Sequence, residues 1–432
     1  MRSRNIILSV VTLMLATILV LGACTPSASP TTAPTKATPG TSSTVAPKSE
    51  PTKPAAGATT TASKPTGAPI KVGFIAPFSG PMATYGFAVK IPAKMAEEDI
   101  NASGGINGSP LQLVIEDSPF DAKQAVTVMR KLAEQDKVFA IAGPYATAEF
   151  EVAAPLANDL KVVSASNAMK PGIAAANRPW SFQMNVQDSV ITPPAIEAFK
   201  KANPGVKSVV LVGDTKQSVT DYMMKDLFPK LLPQAGLKIA STVTYEGGTT
   251  DFSAIVTKIK NQNPEGIALA GMMPEAIGIA KELQRQQVKV PVVTSSHLIG
   301  GPVAELGGES MNGWIMPSYI DWESSDPKLQ SFVKRFFELA QADPNITPKP
   351  QHLVIENLYY DTIVIFADIM RKAGIKADTP VQEARQKILD GMVNLKDHKA
   401  ISGVYTMLPS GDVQRTPAPP FMAENGKYKI LR

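Results

Sequence analysis

Cysteine is nearly absent: Cys24 is the single one in 432 residues. That excludes a disulfide within one molecule, and a cysteine-based metal site or catalytic thiol anywhere else in the chain. Histidine is almost as scarce. His297, His352 and His398 make up the set, and their separations show no metal-ligand spacing. Neither a Gly-x-Ser-x-Gly elbow nor a Walker-type phosphate loop occurs. Gly104-Gly105 and Gly307-Gly308 read more simply as tight turns. Glu97-Glu98-Asp99 and Glu116-Asp117 read as a solvated helix face and a strand end. Nothing here asks for a cofactor or a metal, and an enzyme is not expected. The formal charge of +5 is scattered rather than gathered into a basic stripe interleaved with aromatics, so nucleic acid is not an expected partner.

Long apolar runs are missing too, with one exception at the start. Arg2 and Arg4 precede an almost uninterrupted apolar stretch, Ile6 to Leu21, which ends in Leu21-Gly22-Ala23-Cys24. A membrane-spanning anchor is one reading, because the run is nearly long enough to span. Small residues before a cut let the backbone lie extended in a peptidase groove, which favours a signal peptide over residues 1–23. The Leu-Gly-Ala-Cys ending resembles the lipobox of bacterial lipoproteins, which implies that Cys24 becomes a lipidated N-terminus. Residues 24–69 use little beyond Thr, Pro, Ala, Ser, Lys and Gly. Such a composition cannot build a core and is expected to form an extended tether.

From Ile70 the texture changes. With 44% hydrophobic and 19% charged residues, the chain carries enough apolar material for a large core and two domains or more. Short buried runs alternate with amphipathic segments. Strands are expected at Ile70–Ala76, Leu111–Glu116, Val138–Ala142 and Lys161–Ala165, then at Ser208–Val212, Lys238–Val243, Ile267–Ala270 and Val290–Thr294. A helix to about Ala102 contains Pro92, which should kink it or delay its start. Asp121 is placed to cap the next helix, with Gln124 in the capping-box position. Two such series argue for an α/β fold with two Rossmann-like lobes built on parallel sheets. In open sheets of this kind ligands bind beyond the carboxyl ends of the strands.

Ile70–Gly86 (IKVGFIAPFSGPMATYG), Glu98–Gly108 (EDINASGGING), Asp121–Val126, Val163–Ser166, Thr250–Ala254 and Gly271–Glu275 together resemble the type I periplasmic binding proteins, specifically the branched-chain amino acid branch. The likeness covers essentially residues 70–432 and is weaker in the second half. It implies a Venus-flytrap body whose chain crosses between lobes in three segments, placed near Val186–Asp188, Met316–Ser318 and Gly403–Tyr405. The lobes would then be 70–187 plus 318–403, and 188–317 plus 404–432. It also implies an extracytoplasmic solute-binding protein of an ABC importer, anchored through Cys24, monomeric, partnered by permease subunits, that captures a branched-chain or other apolar amino acid by hinge closure. An amide, an aliphatic or aromatic acid, or a sensor role for a separate receptor are the alternatives.

The resemblance also places a site. Tyr145, Ala146 and Thr147 match the loop and helix start that receive a ligand carboxylate, with Thr147 supplying a hydroxyl or merely capping the helix. Ser166, Asn167 and Ala168 match a run that usually ends in threonine; Ala168 lacks that hydroxyl. Tyr85 matches an aromatic that packs on ligand side chains. Asp188 matches an acidic residue that pairs with the ligand ammonium. In the second lobe Ser218, Met272 and Ser296 stand where amino acid binders tend to show aromatic or acidic residues, with His297 beside them. Half of the ammonium clamp is therefore missing, and a softer wall suits a bulky or uncharged tail.

Overall fold

The computed structural model describes residues 65–299, 303–347, 349–350 and 357–432. Cys24, the apolar segment before it, most of the expected tether, His352 and the side chain of His297 lie outside the described residues. No helix among the described residues is long and apolar enough to cross a membrane.

The first sheet is built from β1 (Ile70–Ala76), β2 (Leu111–Asp117), β3 (Ala140–Ala142), β4 (Val163–Ser166) and β5 (Ser181–Gln183). Its spatial order is β2-β1-β3-β4-β5, with every pairing parallel. β1 sits between two neighbours and under helices, so six of its seven residues are buried. This is why it reads as a continuous apolar run rather than an alternation. Helix α1 (Ala83–Ala102) follows β1 and runs through Pro92 with neither a break nor a late start. Helix α2 (Ala122–Arg130) is capped by Asp121, whose carboxylate accepts the N–H groups of Lys123 and Gln124. Helix α3 (Thr147–Leu160) follows β3, and the short α4 (Ile173–Ala176) follows β4.

The second sheet takes β6 (Ser208–Asp214), β7 (Lys238–Tyr245), β8 (Ile267–Ala270), β9 (Val292–Thr294) and β10 (Ile315–Met316) as its parallel part. Helix α5 (Asp188–Ala202) leads into it. A separate three-stranded unit, β11 (His398–Ala400), β12 (Gly403–Met407) and β13 (Val413–Gln414), comes later in the chain. The last two strands, β14 (Phe421–Glu424) and β15 (Lys427–Ile430), add an antiparallel edge to the second sheet, giving the order β15-β14-β10-β9-β8-β6-β7.

The apolar clusters show which segments belong together. Val72, Phe74, Ile141, Phe182, Tyr359, Phe366, Tyr405 and Val413 share one core. Val212, Leu269, Val292, Trp314, Met316 and Phe421 share another on one face of the second sheet, and Phe199, Leu211, Phe228 and Val293 fill its opposite face. The fold is thus α/β with two lobes. Residues of β12 and β13 belong to the first core, and the chain joins the second sheet at Phe421.

One glycine fixes the geometry of the first loop. A Cβ on Gly86 would stand 1.6 Å from the Pro77 carbonyl oxygen, so the loop after β1 folds directly onto α1 only because that side chain is missing. Gly86→Ala must push the Pro77 backbone away, and overpacking of this severity costs about 3 kcal/mol or more. A urea melt unchanged by Gly86→Ala would contradict this contact.

Candidate functional site

β1 lies between β2 and β3, and β6 between β7 and β8, so each sheet reverses its winding there. At such points the loops beyond the carboxyl ends of the strands part and leave a crevice. One cavity lies between these loops. The first lobe contributes Tyr85 from the first turn of α1, Phe120 after β2, and Tyr145, Ala146 and Thr147 after β3. Asn167 and Met169 come from the loop after β4. The second lobe contributes Val219 after β6, Met272 after β8 and Ser296 after β9. The walls nearly meet: the cavity volume is about 50 Å³, room for a few water molecules.

One wall is aromatic. The Tyr145 ring lies 6.3 Å from Tyr85 and 6.0 Å from Phe120, both tilted, geometries that aromatic pairs favour. The opposite wall is Met272 and Val219. No lysine or arginine lines the cavity among the described residues.

The polar groups are few. Helix α3 starts at Thr147 behind Ala146, which offers no side chain to cap it. The buried Glu149 carboxylate accepts the Ala146 N–H at 3.2 Å and the Asp121 N–H at 3.1 Å, and a proton from the Ser118 hydroxyl. Burial pushes Glu149 up to about 7 against those hydrogen bonds. Thr147 Oγ1 accepts the Met169 N–H at 3.2 Å. The Asn167 side chain is 4% exposed, and neither end of its carboxamide has a hydrogen-bond partner among the described residues. Buried amides are normally paired, so Asn167 is equipped to meet an occupant.

Asp188, the first residue of α5, lies behind Ser296. It is fully buried. The Ser296 hydroxyl donates to its Oδ1, and the Tyr319 hydroxyl reaches the same atom at 3.4 Å. Oδ2 has no partner among the described residues. Burial pushes Asp188 up to about 7, opposed only in part by those hydroxyls. At the rim the lobes touch directly. Glu151 Oε1 accepts from Ser218 Oγ at 2.9 Å and from Lys170 Nζ at 2.6 Å, and Lys170 Nζ stands 3.3 Å from Ser218 Oγ.

Seven residues expected from the sequence line the cavity: Tyr85, Tyr145, Ala146, Thr147, Asn167, Met272 and Ser296. Four lie elsewhere. Ser166 supports the loop from beneath, donating to the Pro144 carbonyl at 2.7 Å and accepting the Ala168 N–H at 3.0 Å. Ala168 packs away from the cavity with Phe150, Ala154 and Ile173. Asp188 is behind the wall, and Ser218 is at the rim. Phe120, Met169 and Val219 line the cavity without having been singled out. Phe120 is a non-glycine residue at φ 60°, a conformation that no sequence pattern announces. Met169 directly follows the Ser166–Ala168 run, and Val219 follows Ser218; adjacency to those positions is the signal that could have found them.

Comparison with known proteins places this geometry. A model of the periplasmic binding protein family matches residues 69–416. The Leucine-, isoleucine-, valine-, threonine-, and alanine-binding protein of Pseudomonas aeruginosa is 25% identical over 320 residues, 73% of this chain and 81% of that one. The Amino acid binding protein of the same species is 27% identical over 56% of this chain, which spans 64% of that relative's length. Among solved structures, the leucine binding protein LivK of Thermotoga maritima superposes with a TM-score of 0.72 at 22% identity, over 84% of this chain and 98% of its own. A solute binding protein of R. palustris in complex with 4-hydroxybenzoate gives 0.70 at 20% identity, over 84% of this chain and 96% of its own. With its two switch-point loops facing one cavity and its matched span covering most of the sequence, this chain belongs to the periplasmic binding protein family, type I.

Proposed function

We propose that this chain is the extracytoplasmic solute-binding lipoprotein of an ABC importer, held at the membrane by Cys24. It captures a small apolar solute by hinge closure: a branched-chain or other apolar amino acid, or an aliphatic or aromatic acid or amide with a similar body. No bond is made or broken. The closed monomer then docks on the permease subunits, and the tether raises its local concentration there. The lobes that close are residues 70–187 with 318 to about 415, and 188–317 with the two C-terminal strands.

The observation that carries the reading is a cavity shared by two lobes, aromatic on one side, with the unpaired Asn167 carboxamide in its wall and no lysine or arginine lining it among the described residues. An occupant touching both walls favours the closed state because it makes those contacts only there. Neutral donors at a helix start can receive an anionic head group without a counter-charge. The names of the relatives, which bind leucine and similar amino acids in some cases and 4-hydroxybenzoate in another, support both halves of the solute class.

A thermal-shift screen of the purified chain against apolar amino acids, acids and amides tests this. A binder at about one hundred times its Kd stabilises by about 2.7 kcal/mol, and small-angle scattering should show compaction with the same solute. If no member of the panel shifts the melt, the capture role fails. The rim contact makes a separate prediction. Glu151→Ala removes the acceptor that Ser218 and Lys170 share across the cleft, and should weaken every binder about three- to tenfold, given about 1 kcal/mol for a charge-assisted hydrogen bond. Unchanged affinities would show that the contact adds nothing to closure.

A further inference from the structure

We propose that Met169 screens Asp188 from the occupant and thereby makes the cleft select apolar carboxylic acids over amino acids that carry the same side chain. This rests on the capture reading above and names the chemistry the site accepts.

Two buried carboxylates lie next to the cavity: Glu149 is engaged by Ala146, Asp121 and Ser118, which leaves Asp188, reached through Ser296, as the one that could neutralise an ammonium group. Met169 occupies that approach. Its Sδ lies 3.8 Å from Ser296 Oγ, the hydroxyl that donates to Asp188. Although its backbone belongs to the first lobe, its side chain is a member of the second lobe's apolar cluster, the one that also holds Val186, Ile191, Leu298 and Tyr319. A thioether is apolar and polarisable. It offers an ammonium no acceptor comparable to a carboxylate, while it suits a methylene group well.

The backbone around Met169 is clamped, so the screen is built in. The Met169 N–H is held by Thr147 Oγ1. Gln183 Nε2 donates to the carbonyls on either side, Ala168 at 3.1 Å and Lys170 at 2.9 Å, and the Ala168 N–H is held by Ser166 Oγ at 3.0 Å. With the lobes closed, side-chain rotation is the remaining way to uncover Asp188. A zwitterion closing between these walls would lose water from its ammonium without gaining a partner, which is costly. The des-amino acid of the same shape keeps its carboxylate at the α3 start and the neutral amide of Asn167, and places carbon and hydrogen against sulfur. Asp188, raised by burial and already served by two hydroxyls, does not need the ligand as a counter-ion.

Calorimetric titration with matched pairs tests the proposal: leucine against 4-methylpentanoate, and phenylalanine against 3-phenylpropanoate. The parent chain should bind the acid of at least one pair ten times or more tightly than the amino acid. Met169→Ala should shift that ratio at least tenfold toward the amino acid, and Asp188→Asn in the Met169→Ala background should reverse the shift. Met169→Leu, which keeps the apolar bulk, should retain the parental preference and guards against a general loss of folding. Tighter binding of the amino acids by the parent chain, with a ratio indifferent to Met169→Ala, overturns the screen and leaves the capture reading standing. No binding of either pair, together with a silent thermal-shift panel, overturns both.

Discussion

Asp188→Asn should make the protein more stable than the parent chain at pH 8, by about 4 kcal/mol, while at pH 4 the two should differ by no more than about 1 kcal/mol. Asp188 is fully buried, and its folded form holds its proton up to about 7 against 3.8 for the exposed side chain. Below 3.8 both folded and unfolded chains are protonated, so the group contributes no slope. Between 3.8 and about 7 the unfolded chain releases its proton and the folded chain keeps it, so stability falls as pH rises and the loss is complete above that range. Asparagine keeps an oxygen for the Ser296 and Tyr319 hydroxyls and cannot ionise. Glu149, Asp361 and Asp412 are also raised by burial, so the parent profile slopes for several reasons and only the difference between the two proteins reports Asp188. Urea melts from pH 4 to pH 8 measure it; parallel profiles would mean that Asp188 is ionised in the folded chain throughout.

Asp361→Ala should cost about 3–5 kcal/mol at neutral pH. Asp361 sits on the helix Asn357–Lys372 of the first lobe and is fully buried. Its carboxylate accepts the N–H groups of Ile401 at 2.8 Å and Ser402 at 3.1 Å, the Ser402 hydroxyl, and the Tyr405 hydroxyl at 2.8 Å. Arg415 completes the cluster, donating to the Tyr319 carbonyl at 2.6 Å and the Ser402 carbonyl at 3.1 Å. Truncation leaves two N–H groups and two hydroxyls short of an acceptor, and leaves Arg415 without its nearby anion. Each such loss is expensive in a buried setting. A fall in urea midpoint worth less than about 1 kcal/mol would show that the cluster relaxes or admits water.

Much of the frame was readable before any coordinates because parallel, buried strands announce themselves. Ile70–Ala76 and Ile267–Ala270 are continuous apolar runs, and they form where expected. Ser181–Gln183 gave no such signal. Its two polar residues are buried but satisfied, Ser181 Oγ by the Ala154 carbonyl and Gln183 Oε1 by the Ala174 N–H, and that compensation is invisible in one dimension. The C-terminal hairpin carries its own sequence signal: Asn425-Gly426, at φ 51° and 73°, is the pair that tight two-residue turns require, and it joins Glu424 to Lys427. Pro92 leaves the helix unbroken from Ala83 to Ala102 for a different reason. A long helix packed on both the first sheet and the helix Asn357–Lys372 has tertiary contacts enough to outweigh one missing N–H. At the site, residue types and loop positions could be inferred, but depth could not. Nothing in the spacing tells that Asp188 lies behind Ser296 or that the Met169 sulfur stands beside the same hydroxyl.

Tyr319 ties the carboxylate behind the cleft to the crossing segments, since its hydroxyl faces Asp188 while its carbonyl holds Arg415. With the proposed closure, groups beside the crossing segments would travel little, whereas Glu151 and Ser218 at the mouth would ride the far end of a lever. Substitutions at the mouth should therefore change how long any guest is kept, by similar factors for all guests. Substitutions near the axis should change which guest is kept. Retention and choice are thereby assigned to different parts of the molecule, and directed mutation can vary one without the other.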